Sequence, residues 1–285
     1  MTKLKLVLIG ISFLMFSCTS SQKTESSDVP PPVIGNQGDK KTDTLPDDHP
    51  ALGKQAVIKV EPKSIKYDAL NAAIASNNDE KIKSAAVEIL QNNPKDAKAL
   101  NALAMSAFKK GHVDAAILIL EKVIATDPKS STANCNLGLI SLSRNEKHEA
   151  IELFKKSLEY DPNNAVAAMN LGSIYIKEND YPKTIVALDR AVDSGKADDN
   201  SMNNYAIALA ATGKAQAAAD IYEKLLKKNS SNKNVMLNLA VVLIEKLNKN
   251  EEGLDLVNRL KFVGADFESR QVIKDLEIKA KAGLK

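Results

Sequence analysis

From Lys63 to about Asp266, apolar residues recur in short blocks at helical spacing, and the blocks themselves return every thirty-four residues. In the stretch Ser131–Asn164, Leu137, Gly138 and Ile140 fall on one face of a first helix. Ala150, Ile151, Phe154 and Leu158 fall on one face of a second, with a polar turn at Ser143, Arg144 and Asn145 between them. Asp161-Pro162-Asn163-Asn164 ends the second helix, because proline disfavours helix in the residue before it, and Asn164 is placed to cap the next. The frames Ala97–Ser130, Ser131–Asn164, Ala165–Asp198 and Asp199–Asn232 follow without a gap. Lys63–Asp96 fits with Lys66 where an apolar residue is expected, and the frame from Lys233 needs one extra residue near Asn248. The third frame lacks the closing proline and carries Ser194-Gly195-Lys196 instead. Beyond Gly264, Phe267 to about Ala282 places Val272, Ile273 and Leu276 on one side and charges on the other, which predicts an amphipathic last helix. No segment reads as a strand, so the chain is expected to be all-α.

This pattern resembles the tetratricopeptide repeat (TPR). The resemblance is carried by the small-beside-large pairs Leu137-Gly138 and Leu171-Gly172, and by Ala116, Ala150 and Ala218 where two helices cross. It extends to Leu120, Phe154, Leu188 and Tyr222 four residues later, to Gly111 and Gly213 in the turns, and to Pro128 and Pro162 at the repeat ends. It implies a right-handed solenoid of about six helix-turn-helix repeats over residues 63–266. A capping helix over 267–285 would cover the last apolar face, as solenoid ends require.

The chain ahead of the repeats reads as an address and a tether. Lys3 and Lys5 precede an eleven-residue apolar run, Leu6 to Phe16, which is too short to span a bilayer and suits an export signal over residues 1–17. Ser17-Cys18 then resembles a bacterial lipobox, with Met15 where leucine is usual and Leu14 one place off. That resemblance implies acyl chains on Cys18, and two or more chains anchor stably. Thr19 in place of an aspartate implies outer-membrane sorting, with the periplasmic face the expected location. Residues 18–62, rich in Ser, Thr, Pro, Asp and Lys, are expected to form a disordered tether, with Val57, Ile58 and Val60 a short apolar exception.

The sixth residue of each frame is Asn136, Asn170, Asn204 and Asn238. Each precedes the Leu of the packing face by one residue, or about 100° of helix rotation, so the row is expected to point away from that face and into the concave groove. Helices stack about 8–10 Å apart. An extended peptide rises about 3.3 Å per residue, so one amide per repeat would meet a backbone unit about every third residue. The alternative is that these amides bond to the adjacent helix. Further groove candidates are Asn101, Asn203, Lys98, Lys177 and Ser173, while Cys135 is expected to be a small packing residue.

Composition narrows the function. A net charge of +3, of which the signal contributes Lys3 and Lys5, gives no basic cluster for nucleic acid. Aromatics make up 4% and Trp is absent, so the core must be aliphatic and close-packed. His49, His112 and His148 have no metal-ligand spacing, and no phosphate loop or nucleophile elbow appears. The expectation is a protein without cofactor, metal or catalysis that binds an envelope protein or an extended peptide segment and is held on a membrane by lipid. Two narrower resemblances fit: the pilotins that escort a type IV pilus secretin, and a TPR lipoprotein of bacterial gliding-motility machinery, to which the run LDLVNRLKFVG is the more similar. An adaptor presenting a cell-wall enzyme is a third reading.

Overall fold

The computed structural model describes residues 67–264 and 267–285. The expected signal at 1–17, Cys18 with the lipobox-like sequence before it, the expected tether at 18–62 and Lys66 lie outside the described residues.

Twelve helices pair into six antiparallel hairpins: α1 (Asp68–Ala75) with α2 (Asp79–Asn92), α3 (Ala97–Lys109) with α4 (Val113–Thr126), α5 (Ser131–Ser143) with α6 (Lys147–Tyr160), α7 (Ala165–Lys177) with α8 (Tyr181–Asp193), α9 (Asp199–Ala211) with α10 (Ala215–Lys228), and α11 (Lys233–Glu245) with α12 (Asn250–Val263). A 3-10 turn at Phe267–Ser269 leads into α13 (Arg270–Gly283). There is no strand among the described residues. The first helices α3, α5, α7, α9 and α11 pack against one another in series, and the second helices make no comparable contact. The first helices therefore form an inner wall and the second helices an outer one.

Each repeat is punctuated twice. Inside each hairpin one residue takes positive φ: Asn77, Gly111, Asn145, Asn179, Gly213 and Asn248. Only Gly and Asn adopt this left-handed conformation readily, which is why the column contains nothing else. The interval is thirty-four residues until the last step, where it is thirty-five, so the extra residue lies ahead of Asn248 as the pattern predicts. Between hairpins, the side chains of Asp96, Ser130, Asn164, Asp198 and Asn232 accept from the backbone N–H three residues on, at 2.9, 3.4, 3.1, 2.7 and 3.2 Å. These N-caps start every inner helix from α3 to α11 and hold the chain reversal in place. The junction between α8 and α9, which lacks the closing proline, differs as expected. Gly195 takes positive φ, and the N–H groups of Lys196 and Ala197 both donate to the Ala191 carbonyl at 2.9 Å.

Within a hairpin the helices touch through a missing side chain. A β-carbon on Gly138 would lie 2.8 Å from the Phe154 ring, and one on Gly172 would lie 2.5 Å from Leu188 Cγ. Ala116, Ala150 and Ala218 are fully buried, as are Leu120, Phe154, Leu188 and Tyr222. In the last hairpin the small residue moves to the second helix, where Gly253 faces Ile244. The Tyr222 hydroxyl is buried without a hydrogen-bond partner, and burial pushes its pKa up.

At the C-terminal end α13 packs on α12 and α11 through Ile273, Leu276 and Ala280. Ten consecutive residues of α11, Val235–Ile244, are buried. This helix has α9 and α10 on one side and α12 and α13 on the other, so it needs no polar face. Glu277 ties the cap down: Lys261 Nζ of α12 donates to it at 2.9 Å and Lys281 Nζ at 2.7 Å.

Candidate functional site

The inner wall holds every asparagine of the predicted row, and it divides them. The Asn136 side chain donates from Nδ2 to Asn101 Oδ1 of the preceding repeat at 2.9 Å. Asn101 in turn donates to the Ala97 carbonyl at 2.8 Å. Asn238 donates to Asn203 Oδ1 at 3.1 Å. Asn136 and Asn238 are buried, with 0% and 2% of their surface exposed. Asn170 instead turns back on its own helix and donates to the Val166 carbonyl at 2.8 Å. Asn204 is buried, and no hydrogen bond joins it to an amide of the preceding repeat, where Asn170 bonds to Val166 instead.

The rule behind this split lies thirty-five residues back. That position holds Asn101 before Asn136 and Asn203 before Asn238, but Cys135 before Asn170 and Met169 before Asn204. An amide bridges neighbouring inner helices where the preceding repeat offers a second amide. Elsewhere, with Cys135 or Met169 at that position, no such bridge forms, and Asn170 bonds locally. The expected uniform row of groove-facing amides is therefore corrected at Asn136, Asn238, Asn101 and Asn203. Their side chains join one repeat to the next, because the inner helices approach closely enough for amide-to-amide contact.

Other predicted groove residues fall at different depths. Ser173 and Asn170 are half-buried on α7, and Lys177 is exposed at its end. Met169, which the sequence reading passed over, is half-buried on the same helix. Its signal was its place thirty-five residues before Asn204. Lys98 sits at the first junction, with its Nζ 4.7 Å from the Tyr67 ring centre. The Tyr67 hydroxyl donates to Asp96 Oδ2 at 2.7 Å. Burial, and then the Asp96 carboxylate, push the Tyr67 pKa up to about 12, so this hydroxyl stays protonated as a donor. Cys135 is buried in a cluster with Met105, Leu139 and Leu171. A second polar knot lies at the α5–α6–α7 junction, where Asn164 Nδ2 donates to Ser131 Oγ and Ser157 Oγ, both at 3.0 Å.

Among the described residues no cluster of His, Cys, Asp and Glu is placed to hold a metal ion. No helix among them is long and apolar enough to cross a membrane. His112 and His148 are exposed, and His49 lies outside the described residues.

Tetratricopeptide-repeat family models match residues 68–131, 144–201 and 205–265. The chain belongs to the tetratricopeptide-repeat family. Among solved structures, YrrB, described as a TPR protein with an unusual peptide-binding site, aligns with a TM-score of 0.57 at 20% identity, over 70% of this chain and 99% of YrrB. MamA AMB-1 aligns with a TM-score of 0.50 at 22% identity, over 56% of this chain and 94% of MamA. No curated protein matches the sequence. At these identities the likeness is one of fold. TPR proteins are in general non-catalytic scaffolds for protein–protein interaction, and the TPR solenoid here presents an inner wall of that kind.

Proposed function

We propose that this chain is a non-catalytic TPR scaffold, lipid-anchored through Cys18 at the periplasmic face of the outer membrane, that recruits a protein component of an envelope machine such as the gliding-motility apparatus. The observation that carries the binding role is the gap in the amide bridges at the middle of the inner wall. Asn170, Ser173 and Met169 are half-buried there, and no amide from the preceding repeat meets Asn170 or Asn204. A primary amide both donates and accepts, so Asn170 keeps an oxygen and one N–H for a peptide unit lying across α7 and α9. YrrB, by its description, binds peptide, which accords with an extended segment of a partner as the ligand. The gliding assignment draws on the run LDLVNRLKFVG, and the anchor on the lipobox-like Ser17-Cys18.

Cross-linked pull-down from membranes tests the partner: motility proteins support the reading, while a secretin or a cell-wall enzyme replaces it with the pilotin or the adaptor role. Asn170→Ala with Asn204→Ala is expected to lower recovery of the cross-linked partner with little change in melting. Unchanged recovery places the ligand elsewhere. Cys18→Ala is expected to move the protein out of the membrane fraction, and tight retention sinks the anchor.

A further inference from the structure

Charge is distributed unevenly between the two walls of the solenoid. The inner helices α5, α7, α9 and α11 carry only four Asp, Glu, Lys or Arg side chains, in a chain of which 26% is charged. These are Lys177, Asp199, Lys233 and Glu245, and each is the first or last residue of its helix. Two of them are engaged away from the wall: Asp199 pairs with Lys228 of α10 at 2.7 Å, and Glu245 with Lys279 of α13 at 3.4 Å. The outer helices of the same hairpins, α6, α8, α10 and α12, carry six, four, five and five such residues. Burial does not account for the difference. Asn200 is exposed, and Thr132, Val166, Met169, Asn170 and Ser173 are half-buried, yet none is charged.

We infer that the inner wall holds an uncharged segment of its partner and rejects charged ones. The inference deepens the peptide-binding reading above and rests on it. A carboxylate or ammonium laid across the middle of α5, α7 and α9 would give up water and meet no opposite charge in the helix bodies. An unpaired charge taken out of water is strongly disfavoured. Uncharged groups meet no such penalty. The amides of Asn170 and Asn200 and the hydroxyls of Thr132 and Ser173 can bond to peptide N–H and C=O groups, while Val166 and Met169 offer apolar contact. Four inner helices about 8–10 Å apart match about eight residues of extended chain. The selection works by exclusion of charge, so binding is not screened by salt.

Ser173→p-benzoylphenylalanine in the full-length chain, irradiated in its own cells, captures whatever lies on the wall, and mass spectrometry reads the linked peptide. The expected product is a segment of another protein with no Asp, Glu, Lys or Arg over about eight residues around the link. A captured segment with charges inside that window overturns the inference and leaves the groove reading standing. Capture from Val186→p-benzoylphenylalanine on the outer wall but not from position 173 overturns both. A link to this chain's own residues or to a second copy gives the wall a different occupant and overturns the partner segment. Charge is separated from shape by two near-isosteric variants. Ser173→Asp is expected to lower recovery of the cross-linked partner from membranes about tenfold, and Ser173→Asn to leave it within about twofold, with helical circular dichroism unchanged in each. Equal losses in the two variants, or recovery that falls steeply between about 0.05 M and about 0.5 M salt, overturn the exclusion of charge.

Discussion

Asn136 and Asn170 occupy the same repeat position one period apart, and they do different things. Asn136 reaches across to Asn101 and joins two repeats, whereas Asn170 folds back on Val166 of its own helix. Asn238 repeats the first behaviour with Asn203. The local sequence around each asparagine does not separate them. The residue thirty-five places earlier does, because it sits on the neighbouring inner helix and decides whether an amide is available. A repeated residue in a solenoid therefore need not have a repeated role.

The largest effect expected on this contrast comes from beneath it. Gly172→Ala puts a β-carbon into the Leu188 side chain, on the helix that carries Asn170. Overpacking of this kind costs about 1–3 kcal/mol, and urea unfolding should show it. An unchanged midpoint would mean that α7 and α8 can move apart freely. Next comes Asn136→Ala, which leaves the buried Asn101 oxygen without its donor and is expected to cost about 1–2 kcal/mol. A double-mutant cycle with Asn101→Ala should return a coupling of about 1 kcal/mol, and a coupling near zero would deny the bridge any stabilising role.

Met169→Asn tries to turn the middle of the wall into the ends. It offers Asn204 the amide that Asn238 has, and is expected to be neutral or to stabilise by up to about 1 kcal/mol while lowering partner recovery. If recovery is unaffected, the gap in the bridges is not where the ligand binds. The smallest effect near neutral pH concerns the cap, which lies outside both regions. Hydrogen bonds from Lys281 and Lys261 hold the Glu277 carboxyl at about 2, below its ordinary value of 4.5. Since the folded value is the lower one, its contribution is fully present above about pH 4.5 and is lost as pH falls toward about 2. The melting difference between the wild type and Glu277→Gln should therefore be flat above that window and shrink within it. A difference that persists at pH 2 would show that the carboxylate charge is not what fastens α13.

Much of the fold was legible without coordinates. The thirty-four-residue rhythm, the small residues Gly138, Gly172 and Ala150 that let helices close, and the inserted residue near Asn248 could be read directly, because each depends on residues close in sequence or fixed by the period. Asn164 as a cap was equally readable, since a side chain bonding three residues ahead is local chemistry. The division of the asparagine row was less accessible. Both possible roles were consistent with the periodicity, and only the spatial neighbour distinguishes them.

By itself, then, the sequence determined that the chain forms six helical hairpins on a thirty-four-residue period, with one extra residue in the last, and which small residues let the helices close. Those outcomes follow from capping, left-handed turn residues and periodic apolar faces, all acting over a few residues. The tertiary structure alone decided which amides are taken up between repeats and which are not. It also decided that α11 is buried on nearly every side, and that α13 covers the end of the stack with one face while exposing cations on the other. Those outcomes depend on helices distant in sequence lying side by side, where a hydrogen bond or a buried contact is settled by whatever the neighbouring helix presents.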